Sequence, residues 1–208
     1  NARELSVQVR HLFTLLDSAA EVDRVTLVER LIEAAPMIAS QLDARADAVV
    51  LGELGEAGVG LQAVRGTELR YVRGAQPTLV VLHVEGRGAR LAVGAARLAY
   101  GGCLYGPHAQ LLRPLSRRGA DVGVALAGFR FFRATTPENQ PLGGWWLVLS
   151  AGLNLGVPIL SDLGAFELGD RLAQLHALTP DEVARIEAAL AEAPDRAWRR
   201  GMAESLAR

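Results

Sequence analysis

The sequence predicts an α/β protein with a parallel, Rossmann-like sheet over about residues 78–160. N-terminal helices and a β-hairpin are predicted before this sheet, and a helical C-terminus after it. Two runs rich in leucine and β-branched residues, Thr78–Val84 (TLVVLHV) and Asp121–Leu126 (DVGVAL), are typical of strands buried on both faces. Segments rich in alanine and leucine lie between such runs. Because strand and helix patterns alternate, we expect βαβ units with right-handed crossovers.

The N-terminal region has the apolar spacing of two amphipathic helices. The first is predicted over residues 4–19 and the second over about 21–44, with a kink or break at Pro36. This pattern divides the chain into a helical segment, residues 1–45, and an α/β domain, residues 46–208, which we expect to form one compact unit.

The segment between the helices and the sheet predicts short strands. Ala48–Leu54 and Gly58–Val64 have strand character, and Gly55, Glu56 and Ala57 between them predict a hairpin-like turn. Leu69–Val72 is predicted as a third short strand.

Beyond Pro77 the predicted elements follow one another closely. The buried strand at 78–84 is followed by a glycine turn. The later elements are a helix to about Tyr100, a strand at 103–105, a helix at 110–118, the strand at 121–126, a long polar loop at 129–144, a helix at 145–155 and a strand at 157–160. Thr179-Pro180-Asp181-Glu182 then predicts a capped helix start, and a last helix begins near Pro194.

The composition excludes several kinds of chemistry. All 22 basic residues are arginine, because the chain contains no lysine. A Walker-type phosphate loop, a pyridoxal-phosphate enzyme, a Schiff-base aldolase and a protein-kinase core all need a lysine. The single cysteine, Cys103, excludes an internal disulfide and a cysteine-based zinc site, and it is expected to be a buried, inert thiol.

The net charge and the hydropathy of the chain limit the classes of partner that we expect. A formal net charge of −1 is unfavourable for a broad nucleic-acid interface, so no nucleic acid is expected. No apolar run is long enough to span a membrane, and the chain starts without the apolar stretch of a signal peptide. We therefore expect a cytoplasmic protein, with a homodimer or a partner domain as the macromolecular partner.

Candidate binding residues lie on three segments that follow predicted strands, where ligands of open α/β sheets bind. Glycines and arginines at a helix start favour a phosphate, and a histidine or a polar loop adds hydrogen bonds. The alternatives are a tight turn with solvated arginines, a Gly-Pro turn with an exposed histidine, and a surface loop anchored by Trp145 and Trp146. The candidates are Gly86, Arg87, Gly88, Arg90, His108, Glu138, Asn139, Gly143 and Gly144.

The order of these segments resembles the nucleotide-sugar-binding half of GT-B glycosyltransferases. The resemblance covers residues 78–208 and includes TLVVLHVEGRG, CLYGPHAQLLRPLSRRG, ADVGVAL and PENQPLGGWWLVLSAGLNLGVPILSD. It implies that the loop and helix before Gly156-Val157-Pro158 hold the donor sugar and ribose. The chain departs from the retaining members, in which two glutamates stand eight residues apart. Here Glu138 is followed at that spacing by Trp146.

Two functions follow as hypotheses. The first is a nucleotide- or nucleotide-sugar-binding protein, glycosyltransferase-like with degenerate motifs, whose ligand is a phosphate-bearing small molecule. The second is a non-catalytic, GAF-like sensory or protein-interaction module that dimerises through its N-terminal helices. No catalytic residue, cofactor or metal site is assigned by the sequence.

Overall fold

The structure is a computed structural model that describes residues 10–38, 43–124, 127–151 and 162–191. These ranges contain four α-helices, one 3-10 turn and six β-strands. The helices are α1 (residues 10–16), α2 (Arg24–Ile38), α3 (His108–Leu111) and α4 (residues 180–191), and the 3-10 turn is Ala19–Glu21. The strands are β1 (Ala48–Val72), β2 (Thr78–Tyr105), β3 (Ser116–Val124), β4 (Ala127–Thr135), β5 (Pro141–Ala151) and β6 (Asp162–Ala177).

The six strands form a closed antiparallel β-barrel. Their order is β1-β2-β5-β4-β3-β6, and β6 also pairs with β2, which closes the sheet. Closure is possible because β2 is 28 residues long. Its first part, 78–90, pairs with β6, and its last part, 97–105, pairs with β5. Every pairing is antiparallel, so the predicted parallel Rossmann-like sheet over 78–160, and with it the α/β class of the domain 46–208, is wrong.

Successive residues of the strands point alternately into the barrel and out of it, and both directions are buried where helices cover the wall. Val80, Leu82 and Val84 contribute to the interior core. Leu79 and Val81 instead pack in a second core beneath the helices. The run 78–84 is therefore a strand buried on both faces, as predicted, but helices outside an antiparallel barrel provide the second cover.

The N-terminal helices bury their apolar faces in this second core. Residues of α1 and α2 such as Leu12, Leu16, Leu27 and Leu31 are buried against the β1 and β2 wall. Helix α1 lies inside the predicted range 4–19, and α2 continues through Pro36. These apolar faces already pack within the chain. The homodimer through the N-terminal helices stays a prediction, and its contacts would have to use other surfaces of these helices.

The C-terminal part of the described chain has the predicted helix start. The hydroxyl of Thr179 donates to Glu182 Oε1 at 3.0 Å, and the amide of Glu182 donates back to Thr179 Oγ1 at 3.3 Å. These bonds satisfy polar groups at the first turn of α4. The strand predicted at 157–160 and the helix predicted from Pro194 lie outside the described residues.

Several other predictions of helices and turns are wrong for one shared reason. Residues 89–100, predicted as helical from their alanine and leucine content, belong to β2, where Leu98 and Tyr100 alternate inward with Ala99 outward. The predicted turn at 55–57 is the interior of β1. Strand pairing over long sequence distances overrides the local preference in both segments.

The segment around the two tryptophans is also corrected. The predicted loop at 129–144 contains most of β4 and the start of β5, and the predicted helix at 145–155 begins as β5. Only residues 136–140 connect these two strands. The predicted helix at 110–118 is reduced to the single turn of α3 before β3 starts.

Glycines allow close approach where the small barrel curves. At Gly86 of β2 an added Cβ would overlap the backbone of Glu167 and Leu168 on β6. At Gly144 of β5 it would overlap the ring of Phe132. Neither glycine opens a helix, which was the role predicted for each.

The two adjacent glycines of β5 provide a matched test of the fold. Gly144→Ala should lower the free energy of unfolding by about 1–3 kcal/mol, because its methyl group would overpack the interior. Gly143→Ala should be neutral or slightly stabilising, since nothing lies within 4 Å of its added Cβ. Urea unfolding of both variants measures the difference. Equal effects of the two substitutions would contradict the assignment of Gly144 to the inner face.

Candidate functional site

Four charged side chains are completely buried inside the barrel. They are Glu68 and Arg70 on β1, Arg117 on β3 and Asp170 on β6, and each side chain has zero exposure. We call these four residues the buried ion cluster. Two cations and two anions make it neutral overall, which is the condition for keeping charges in a medium of low dielectric.

Glu68 is the centre of this cluster. One carboxylate oxygen accepts hydrogen bonds from Arg70 Nε at 3.2 Å and Nη2 at 3.1 Å. The other accepts from Arg117 Nη1 at 2.6 Å and from the hydroxyl of Tyr100 at 2.7 Å. Both oxygens are therefore fully used within the barrel, and neither is free to act on a substrate.

Asp170 and the α3 region complete the cluster. Asp170 accepts from Arg70 Nη2 at 2.8 Å and from Arg117 Nη2 at 2.5 Å. Arg70 Nη1 donates to the carbonyls of Leu111 and Arg113, at 2.8 and 3.0 Å. The ion cluster thus holds three strands together and fixes the chain that leaves α3.

Three aromatic side chains, those of Tyr100, Phe132 and Trp146, pack beside the buried ion cluster. The ring of Trp146 stacks on Tyr100 with a centroid distance of 4.1 Å, and Phe132 lies 4.8 Å away in a tilted arrangement. The guanidinium carbon of Arg117 lies 4.8 Å from the Trp146 centroid, within cation–π range. Two buried donors, Arg117 Nε and Trp146 Nε1, have no hydrogen-bond partner among the residues that the structure describes.

Burial and ion pairing oppose each other in the titration of Glu68. Burial alone raises the pKa of its carboxyl, but the charges of Arg117 and Arg70 and the hydrogen bonds from Arg117 and Tyr100 bring the pKa below its ordinary value. Burial, followed by the negative charge of Glu68, raises the pKa of Tyr100 well above its ordinary value. Glu68 therefore stays ionised and Tyr100 stays protonated near neutral pH.

Five of the predicted site residues lie at the end of the barrel where α3 meets the β4–β5 turn. His108 begins α3, and its Nδ1 donates to the carbonyl of Arg73 at 2.8 Å. Glu138 and Asn139 lie in the turn, where Glu138 forms an exposed ion pair with Arg113 and Asn139 has a φ of 61°. The other two residues at this end are Gly143 and Gly144.

The remaining four predicted residues lie in the middle of β2. Gly86 and Gly88 share the inward-facing register, while Arg87 is exposed on the outer face. The backbone of Arg90 pairs with Gly164, and its side chain lies outside the described part. Along the curved wall, four strand spacings separate Arg87 from Gly143, which is a path of roughly 19 Å through the paired strands. The predicted residues whose side chains the structure describes therefore form two separate groups, one in the middle of β2 and one beside α3.

The outer face instead carries a row of paired positions that crosses the barrel. Arg87 pairs with Glu167, Glu167 pairs with Arg118, and Arg118 pairs with Arg133, which pairs with Gly143. We call Arg87, Glu167, Arg118 and Arg133 the arginine row. Its three cations and one anion leave a charge of about +2 on one exposed surface.

The members of the arginine row differ in their partners. Arg118 is 78% exposed, and it donates from Nε and Nη2 to Glu167 Oε1 at 3.1 and 2.7 Å. Arg87 and Arg133 form no hydrogen bond or ion pair with the part of the chain that the structure describes. The sequence marked Arg87 and Gly143. Only the strand register shows that Arg87 lies in one row with Arg118 and Arg133, and that Gly143 pairs with Arg133 at the end of this row.

A second group of titratable residues lies beside α3. The hydroxyl of Tyr105 donates to Asp43 Oδ2 at 2.8 Å, and the amide of Asp43 donates to the sulfur of Cys103 at 3.4 Å. Burial, ahead of the other causes, raises the pKa of Tyr105 to about 12 and also raises the pKa of Cys103. Cys103 is buried, as predicted.

Comparison of the chain with models of known protein families, with curated proteins and with solved structures gave no match. Within the described ranges, no three His, Cys, Asp or Glu side chains form a group that could hold a metal ion. None of the described helices is both long enough and apolar enough to cross a membrane.

Two consecutive arginines of β3 provide a matched test of the buried ion cluster. Arg117→Met should lower the free energy of unfolding by about 3–5 kcal/mol, because it leaves buried carboxylates without a counter-charge. Arg118→Gln removes an exposed ion pair and should cost less than about 1 kcal/mol. Urea unfolding of both variants tests this difference. Similar losses would show that Arg117 is not held in a sealed interior.

The pH dependence of stability tests the charge on Glu68. Its folded pKa is lowered, so its contribution is present above the unfolded value of about 4.3 and is lost as the pH falls through the folded pKa. Thermal unfolding between about pH 6 and about pH 3 should therefore show a smaller acid-induced loss in Glu68→Gln than in the original chain. Glu167→Gln, which alters an exposed carboxylate, should keep the original slope. Identical slopes for all three would contradict the assignment.

Proposed function

We propose that this protein is a binding module for a phosphate-bearing small molecule, of the nucleotide class, on the outer face of β3 and β4. The observation that carries this proposal is the direct pairing of Arg118 with Arg133 on neighbouring strands. Side chains at such paired positions have Cβ atoms about 5 Å apart, so two like charges there repel each other. An anion between them removes this repulsion.

The free hydrogen-bonding capacity of the row supports the same proposal. Arg133 forms no hydrogen bond or ion pair within the described ranges, so its whole guanidinium group is available there, while Arg118 gives only part of its donors to Glu167. The planar guanidinium fork matches two oxygens of a phosphate, and it keeps its charge at every physiological pH. Arg87 adds a third cation two strands from Arg118, on the far side of Glu167.

The residues around the arginine row favour ligand binding without a catalysed reaction. Glu167 is the one carboxylate in the row, and its Oε1 already accepts both hydrogen bonds from Arg118. The charges of the buried ion cluster face the opposite side of the same wall. A proton-transfer or nucleophilic step would need a side chain beside the ligand that has an available lone pair or a proton to give. The proposal therefore includes no group transfer. Of the residues that the sequence predicted for the site, it keeps Arg87 and Gly143, but it does not use the helix N-termini that were expected at these positions.

Anion titration tests the proposed function. Inorganic pyrophosphate and the diphosphates of adenosine, guanosine and uridine are titrated by calorimetry at low ionic strength, where exposed charges are least screened. Arg133→Gln should weaken binding by about fivefold or more, the factor that corresponds to about 1 kcal/mol. Arg10→Gln removes an exposed charge from α1 and serves as the control, with unchanged binding. Failure of the original chain to bind any of these anions would refute the function.

A further inference from the structure

We infer that the arginine row binds a terminal phosphate, and that the hydroxyl groups of Ser116 and Thr135 hold this phosphate together with Arg118 and Arg133. The inference rests on the proposed function and specifies its ligands as nucleotides whose last phosphate is linked to the rest of the molecule through one oxygen only. Nucleotide sugars are then poor ligands, because each of their phosphates is linked on both sides.

Two hydroxyl side chains stand beside the two paired arginines. Ser116 pairs with Thr135 across β3 and β4, two residues from the pair of Arg118 and Arg133 and therefore on the same outer face. Cβ atoms at such paired positions are about 5 Å apart, so two hydroxyl groups there can bond to each other. Neither hydroxyl forms a hydrogen bond with the part of the chain that the structure describes. Both can therefore donate to one ligand.

The outer face is open on both sides of these residues. On β6 the position paired with Ser116 is Gly169, and on β5 the position paired with Arg133 is Gly143. A Cβ atom added at either glycine would meet no other atom within 4 Å. A phosphate group therefore has room beside the hydroxyl pair, where a larger residue on a neighbouring strand would exclude it.

The donors of this face match the oxygens of a terminal phosphate. Two residues of extended strand separate Ser116 from Arg118, and Thr135 from Arg133, by about 7 Å. Long side chains of a strand lean along it, so the guanidinium groups can reach over the hydroxyl pair. Arg118 keeps the donors of Nη1, because Nε and Nη2 bind Glu167. Two guanidinium groups and two hydroxyls suit the three free oxygens of a terminal phosphate better than the two of a phosphate that is linked on both sides.

The charge of the arginine row favours the same group. The row has a charge of about +2, and a terminal phosphate has about −2 near pH 7, whereas a phosphate that is linked on both sides has about −1. Two further carboxylates near this face each stand beside a cation. Glu138, in the β4–β5 turn, is paired with Arg113, and Glu85 on β2 stands opposite Arg65 on β1. The positive charge of the row is therefore left for the ligand.

The experiment compares two ligands that differ only at the outer phosphate. Uridine diphosphate has a terminal phosphate, and in uridine diphosphate glucose the same phosphate carries a sugar. Calorimetry at low ionic strength should show an affinity of the original chain for uridine diphosphate that is higher by about tenfold. Ser116→Ala combined with Thr135→Val should reduce this preference by about fivefold, because both hydroxyl donors are lost. Ser116→Thr combined with Thr135→Ser retains both hydroxyls and should keep the preference. Thr14→Val removes a hydroxyl from α1 and is the control.

A second variant tests the open space without removing a donor. Gly169→Val places a β-branched side chain, which suits a strand, beside Ser116. It should weaken binding of uridine diphosphate by about fivefold or more, since the phosphate loses its room. Unchanged affinity in this variant would show that the phosphate does not lie beside Ser116.

The outcomes separate the inference from the proposed function. Equal affinity of the original chain for the two ligands would overturn the inference while phosphate binding stands. A preference that is unchanged after loss of both hydroxyls would do the same. If the original chain binds neither ligand and no pyrophosphate, the proposed function and the inference both fail. A preference that falls without the hydroxyls and persists when they are exchanged supports both. Thermal unfolding of each variant confirms that the barrel is intact.

Discussion

The ion pairs between two arginines and two carboxylates inside the barrel are the constraint on which the rest of the structure depends. A charge without a partner in this interior would cost several kcal/mol, so the strands that carry the four charges must keep one register. A slip of β6 by one residue would replace Asp170 by Gly169 or Arg171 and leave an uncompensated cation. Because Arg70 also holds the carbonyls of Leu111 and Arg113, the same constraint extends to the connection between β2 and β3.

The buried ion cluster also determines what the outer face presents. Arg117 points inward to Glu68 and Asp170, so the next residue of β3, Arg118, must point outward. The pairing of β3 with β4 then places Arg133 opposite Arg118. The wall behind these arginines is packed by Trp146 and Phe132, and a rigid support reduces the ordering cost when a ligand binds. The buried ion cluster thereby positions the cations on the surface.

The sequence predicts those parts of the fold that have local causes. The strand at 78–84, the helices α1 and α2 and the cap at Thr179 all follow from short patterns. The closed antiparallel sheet was missed because it depends on pairings such as Thr78 with Ala177, which no local pattern contains. Glu68 and Arg70 alternate with Leu69 and Tyr71 like the solvent side of a strand, yet both sides are buried. For the candidate site, Arg87 and Gly143 were marked for glycine turns and helix starts that do not form there. The place of Arg87 in the arginine row and the pairing of Gly143 with Arg133 depend on the register.

The absence of lysine suits both sides of this wall for different physical reasons. Inside, Arg70 makes five hydrogen bonds to two carboxylates and two backbone carbonyls, and an ammonium group with three donors could not make them all. Burial also lowers the pKa of a lysine, and loss of its proton would leave the carboxylates unpaired. Outside, the flat guanidinium groups of neighbouring strands can face one phosphate together, whereas ammonium groups on flexible stems would first have to be ordered. The composition that excludes lysine chemistry thus fits both the buried charges of the barrel and the anion binding proposed for its outer face.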